Sequence, residues 1–66
     1  MDKYDLADVF VNALRENKGE PLDALEFMRS KTTDNKLANS ALSLLMKDDR
    51  VRSEREGKGV PFRLSD

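Results

Sequence analysis

The hydrophobic pattern of this chain changes period once, at Asp48-Asp49, and that change limits what it can fold into. Up to Met46 the apolar side chains recur at helical spacing; from Val51 onward they alternate, as in a strand. The alternating part, VRSEREGKGVPFRLS at 51–65, reads as two short strands hinged on Gly57-Lys58-Gly59. Val51 on the first strand and Val60, Phe62 and Leu64 on the second mark the apolar face. A two-stranded ribbon is marginal in water unless something covers one face. The hairpin must therefore lean on the helical part, serve a partner, or both. Pro61 falls on the outward phase and has no amide to give a ladder, which places the second strand at an edge.

Three helices are expected ahead of the hairpin. Leu6, Val9, Phe10, Ala13 and Leu14 form the stripe of a first helix over about 3–17, with Asp2 able to cap its start and Gly19 to end it in the left-handed conformation. Tyr4 and Val11 lie off the centre of that stripe, as scattered surface residues or as part of a dimer contact. Pro21 suits the first position of a second helix over about 21–30, where its missing amide costs nothing. Leu22, Leu25 and Met28 supply the buried side of this helix, with Ala24 and Phe27 flanking. No strand is evident between the two helices apart from the few residues around Glu20. A third helix, over about 34–47, carries Leu37, Ala38, Ala41, Leu42, Leu44 and Leu45 on one broad face. Lys36, Asn39, Ser40, Ser43 and Lys47 gather on the opposite side. Phe10, Phe27 and Phe62 are read as core.

At 66 residues the chain makes one domain, near the lower limit for a single unstapled core. It has neither cysteine nor histidine, which removes disulfides, the common zinc sites, thiol nucleophiles and the usual general base. Asp48-Asp49 reads as a polar bend ending the third helix, and no phosphate loop or nucleophile motif accompanies it, so no catalytic residue, metal or cofactor is expected. No apolar run spans a membrane or resembles a secretory signal. A complete, soluble cytoplasmic protein starting at Met1 is the expectation.

The net charge of −1 is unevenly spread. Residues 1–30 hold seven acidic and four basic side chains, residues 31–66 eight basic and six acidic, and the stretch from Arg50 to Arg63 five basic and two acidic. A basic end on a weakly acidic whole is compatible with a polyanionic partner without requiring one.

Helix, helix, short turn, helix and Gly-tipped hairpin, with the ending NKLANSALSLLMKDDRVRSEREGKGVPFRLS, resembles the winged helix-turn-helix superfamily and, within it, the short PapI-type transcriptional regulators. The resemblance implies a mostly α domain with a C-terminal β-hairpin that binds double-stranded DNA. Helix 3 would enter the major groove, with Asn39 facing adenine and Lys36 and Lys47 meeting guanine edges or phosphates. Thr32, Thr33, Ser40 and Ser43 would bond the backbone, Asn35 would be a further DNA contact, and the helix dipole would attract phosphate. Arg52, Arg55 and Lys58 of the wing would reach the minor groove or flanking phosphates, with Glu54 and Glu56 opposing them. A homodimer is compatible with this reading, since one small module buries little area on DNA. A winged-helix module that binds protein through its acidic helices or its hairpin edge is the competing expectation.

Overall fold

A computed structural model describes residues 1–54 and 59–65. The elements run α1 (Lys3–Glu16), β1 (Leu22–Asp23), α2 (Ala24–Lys31), α3 (Asn35–Met46), β2 (Val51–Ser53) and β3 (Pro61–Leu64). The strands form one antiparallel sheet in the order β1-β3-β2. Leu22 pairs with Phe62 and Asp23 with Pro61; on the other side Val51 pairs with Leu64, Arg52 with Arg63 and Ser53 with Phe62.

Each helix starts on an aspartate. Asp2 and Asp5 make a reciprocal capping box on α1, the Asp5 amide donating to Asp2 Oδ1 at 2.9 Å. Asp34 accepts from the amides of Lys36 and Leu37, and Asp23 from those of Leu25 and Glu26. The α1 backbone ends at Asn17, and both Lys18 (φ 56°) and Gly19 (φ 83°) then take the left-handed conformation to turn the chain toward β1.

Pro21 does not open α2. Leu22 and Asp23 are extended and paired to β3, and the helix begins at Ala24 and continues to Lys31, one residue past the expected stop. Leu22 is accordingly a strand residue, and Ala24 and Met28, not Leu25, are the fully buried members of this segment. With β1 in place, β3 is the central strand. Pro61 is tolerated because it opens the strand, where its carbonyl still accepts from the Glu54 amide at 2.8 Å.

The core joins all three helices to the sheet. Leu6, Ala7, Phe10, Val11 and Leu14 of α1 meet Ala24 and Met28 of α2, Ala38, Ala41 and Leu45 of α3, Val51 of β2 and Phe62 of β3. Val11, expected off the stripe, is fully buried, because α1 packs on α3 and also on α2 and β3 and so needs a wider apolar face. Val9 and Ala13 are only half-buried. Phe10 sits at the junction, edge to face with Phe27 (ring centroids 5.2 Å apart) and with Phe62 (6.1 Å).

One carboxylate fastens the hairpin to α2. Asp23 Oδ1, besides capping the helix, accepts the amide of Val60 at 3.3 Å, and the Ala24 amide donates to the Val60 carbonyl at 2.8 Å. Gly59 packs against this carboxylate with φ 84°, and a Cβ placed there would lie 2.0 Å from Asp23 Oδ2. Gly59→Ala is expected to cost more than the roughly 1–2 kcal/mol of the left-handed backbone alone. Asp23→Ala is expected to cost about 2–3 kcal/mol through the lost cap and an orphaned Val60 amide. Urea denaturation of both variants and the double variant checks the contact. In the Asp23→Ala background the Gly59→Ala penalty should shrink, since the colliding carboxylate is gone.

Candidate nucleic-acid interface

The outer face of α3 follows from the burial of its inner face. With Ala38, Ala41 and Leu45 buried and Leu37, Leu42 and Leu44 half-buried against the core, the helical period leaves Asn35, Lys36, Asn39, Ser43 and Lys47 exposed and Ser40 half-buried. The structure thus gathers these six expected residues along one helix and its C-terminal end. Short chains dominate that surface, and neither Lys36 nor Lys47 has an ion-pair partner among the described residues. Met46, 71% exposed, lies at the C-terminal end of α3.

Thr32 and Thr33 precede the helix. Thr33 is exposed, but Thr32 is half-buried and its hydroxyl oxygen accepts the Asp34 amide at 3.0 Å, which fixes it in the turn. The expected phosphate attraction of the α3 N-terminus is offset, because the Asp34 carboxylate already occupies the Lys36 and Leu37 amides (3.0 and 3.2 Å).

Of the expected wing residues, Arg52 is exposed on β2, while Arg55 and Lys58 lie outside the described residues. The basic end is weaker than its residue count. Arg50 is clamped by Asp48 (Nη2 to Oδ2 2.6 Å) and by Asp8 of α1 (3.0 Å), and Arg63 Nε contacts Glu54 Oε1 at 2.8 Å. Asp48 lies in the bend that follows the end of α3 at Met46, and Arg50, held by it, ties that bend to α1 through Asp8. Its hydrogen bonds from the Arg50 guanidinium hold the Asp48 carboxyl below its ordinary value, partial desolvation opposing them. The same contacts raise the Arg50 guanidinium.

Two grooves run between α1 and α3 and share Tyr4, which is 60% exposed. One, of about 390 Å³, is lined by Asp2, Lys3, Tyr4, Asp34, Lys36, Leu37 and Ser40. The other, of about 310 Å³, is lined by Tyr4, Ala7, Asp8, Leu44, Lys47, Asp48 and Arg50. Carboxylates and cations are mixed along both, so one flank of the α3 face is electrically balanced. A further cleft, of about 170 Å³, lies on the sheet and brings Arg52 beside Arg63, Leu64 and Gly19. Arg63 was not among the expected site residues, although strict alternation from Phe62 already placed it outward.

Among the described residues no group of three or more carboxylates is placed to hold a metal ion, and no helix is long and apolar enough to cross a membrane. Comparison with protein-family models, with curated proteins and with solved structures finds no match.

The lowered Asp48 value makes a prediction about pH. A carboxylate depressed in the folded state contributes stability that is complete above its unfolded value and is lost as pH falls through the folded one. Asp48→Asn should therefore be less stable than the parent at pH 7, and the two should converge as pH drops below the ordinary 3.8. Urea midpoints measured from pH 7 to pH 2 test this; a constant difference would assign the effect to packing.

Proposed function

We propose that this chain is a winged-helix DNA-binding module, a small regulator of transcription that reads duplex DNA with α3 and steadies itself through its β2–β3 hairpin. The observation that carries the reading is the uncovered outer face of α3, made of short polar side chains between two lysines without ion-pair partners among the described residues. The order helix, strand, helix, helix, strand, strand, with the last strand central, supports it, since this is the arrangement of winged helices. A helix is about 10–12 Å across with its side chains, and the major groove is about 12 Å wide. A face of serines and asparagines suits so close a fit. Asn39 is the candidate for a bidentate contact to adenine, and Lys36, Lys47 and Arg52 are candidates for phosphates.

A protein-binding role for the same fold is the second reading. The exposed Tyr4 and Met46, and the carboxylates of Asp2, Asp8 and Asp34 beside the lysines, favour it.

Salt titration of duplex binding by fluorescence anisotropy separates the two. If Lys36, Lys47 and Arg52 each meet a phosphate, log K should fall against log salt with a slope of about −2.7, from about −0.9 per contact. Lys36→Ala should bring it to about −1.8. Asn39→Ala should cost about 1–3 kcal/mol of discrimination at one base pair and leave the slope unchanged. Both side chains lie outside the core, so stability should move by less than about 0.5 kcal/mol. Absence of duplex binding at low salt would favour the protein-binding reading.

A further inference from the structure

Arg52 and Arg63 face one another directly across β2 and β3. The Glu54 amide donating to the Pro61 carbonyl and the Ser65 amide donating to the Arg50 carbonyl bracket this pair in the ladder. Alternation from the buried Val51 and Phe62 sends both arginines to the outer face of the sheet. Like charges directly opposite in an antiparallel pair are destabilising. Among the described residues one carboxylate, Glu54, engages Arg63 through Nε, which orients that guanidinium. Arg52 has no ion-pair partner among the described residues.

Both arginines line the cleft of about 170 Å³ that is closed by Leu64 and by Gly19 of the α1–β1 turn. That volume is below the roughly 300–1,000 Å³ of sites for drug-sized ligands and suits a small group. Lys18 and Glu20 flank Gly19 with opposite charges and Glu54 offsets Arg63, so Arg52 gives the cleft its positive sign. Lys18 holds a left-handed backbone, uncommon for a side chain of its kind, at the turn that brings Gly19 to the arginines.

From this geometry we infer that Arg52 and Arg63, with the Gly19 turn, form a binding site for a phosphate group on the outer face of the sheet. A phosphate accepts paired N–H bonds from planar guanidinium forks and relieves the cross-strand repulsion. The site lies apart from the α3 face but shares Arg52 with the duplex reading above, and its capture of inorganic phosphate is measured separately from duplex binding. The phosphate group belongs either to a nucleic-acid backbone or to a free phosphate compound, and the chemistry of the cleft is the same for both.

The test follows the full chain by ¹H–¹⁵N NMR during titration with sodium phosphate at constant ionic strength, observing the Arg52 and Arg63 Nε–Hε signals and the Gly19 amide. Saturable shifts confined to these groups are expected, with binding weakened about tenfold or more in Arg52→Gln and in Arg63→Gln. Arg52→Gln disturbs no ion pair among the described residues, so it keeps the result interpretable if Arg63→Gln loosens the hairpin. Arg63→Lys, which keeps the charge and loses the fork, should also bind more weakly. Non-saturating shifts shared equally with Arg15 and Arg29 would overturn the site. The same variants in the duplex assay identify the source. A slope reduced by about 0.9 per arginine marks a backbone phosphate, whereas saturable inorganic phosphate with unchanged duplex binding marks a free phosphate compound.

Discussion

The carboxylate of Asp23 accepts amides from two elements that are far apart in the chain, Leu25 and Glu26 at the start of α2 and Val60 before β3. A partly buried carboxylate in this position fixes the angle between helix and sheet, because its Oδ1 cannot serve all three donors if either element rotates. The backbone bond from Ala24 to Val60 adds a second tie, and Gly59 leaves the space the carboxylate needs. The placement of β3 follows. Phe62 is delivered to Phe10, the sheet closes the open side of the helices, and α3 turns its leucines and alanines inward. Its hydrophilic face is left uncovered as a consequence of that packing.

Electrostatics then narrows what that face can do. Of the five basic residues from Arg50 to Arg63, the three that the structure describes do not form a free positive strip. Arg50 is spent on joining α1 to the bend after α3, and Arg63 is engaged by Glu54. Exposed pairs of this kind contribute at most about 1 kcal/mol each to stability. Their larger effect is to remove charge from the field a polyanion would meet. An overall pI near 5.4 points the same way. The functional reading therefore rests on close fit and a few placed cations more than on long-range attraction.

Much of this arrangement could be read from the residues. The stripes of α1 and α3 were long and periodic enough to place both helices within a residue or so, and the change of period at Asp48-Asp49 marked the hairpin. The six residues now exposed or half-buried along α3 were legible for the same reason, since a 3.6-residue repeat fixes both faces at once. What escaped was long-range. Two residues, Leu22 and Asp23, are too few to show alternation, and Pro21 before them carried an equally good helix-start signal. Without β1, β3 read as an edge and Pro61 as an edge residue. The burial of Val11 depended on α1 having several neighbours, and the clamp of Arg50 by Asp8 spans a separation in sequence that no local pattern reveals.

The central claim is that the hydrophilic side of α3 is the surface presented to duplex DNA. Amide chemical-shift mapping of the chain with a short duplex at low salt tests it most directly. The account predicts perturbations concentrated at Lys36, Asn39, Ser43 and Lys47, with the outer surfaces of α1 and α2 unmoved. Perturbations centred on those two helices, or none anywhere, would contradict it.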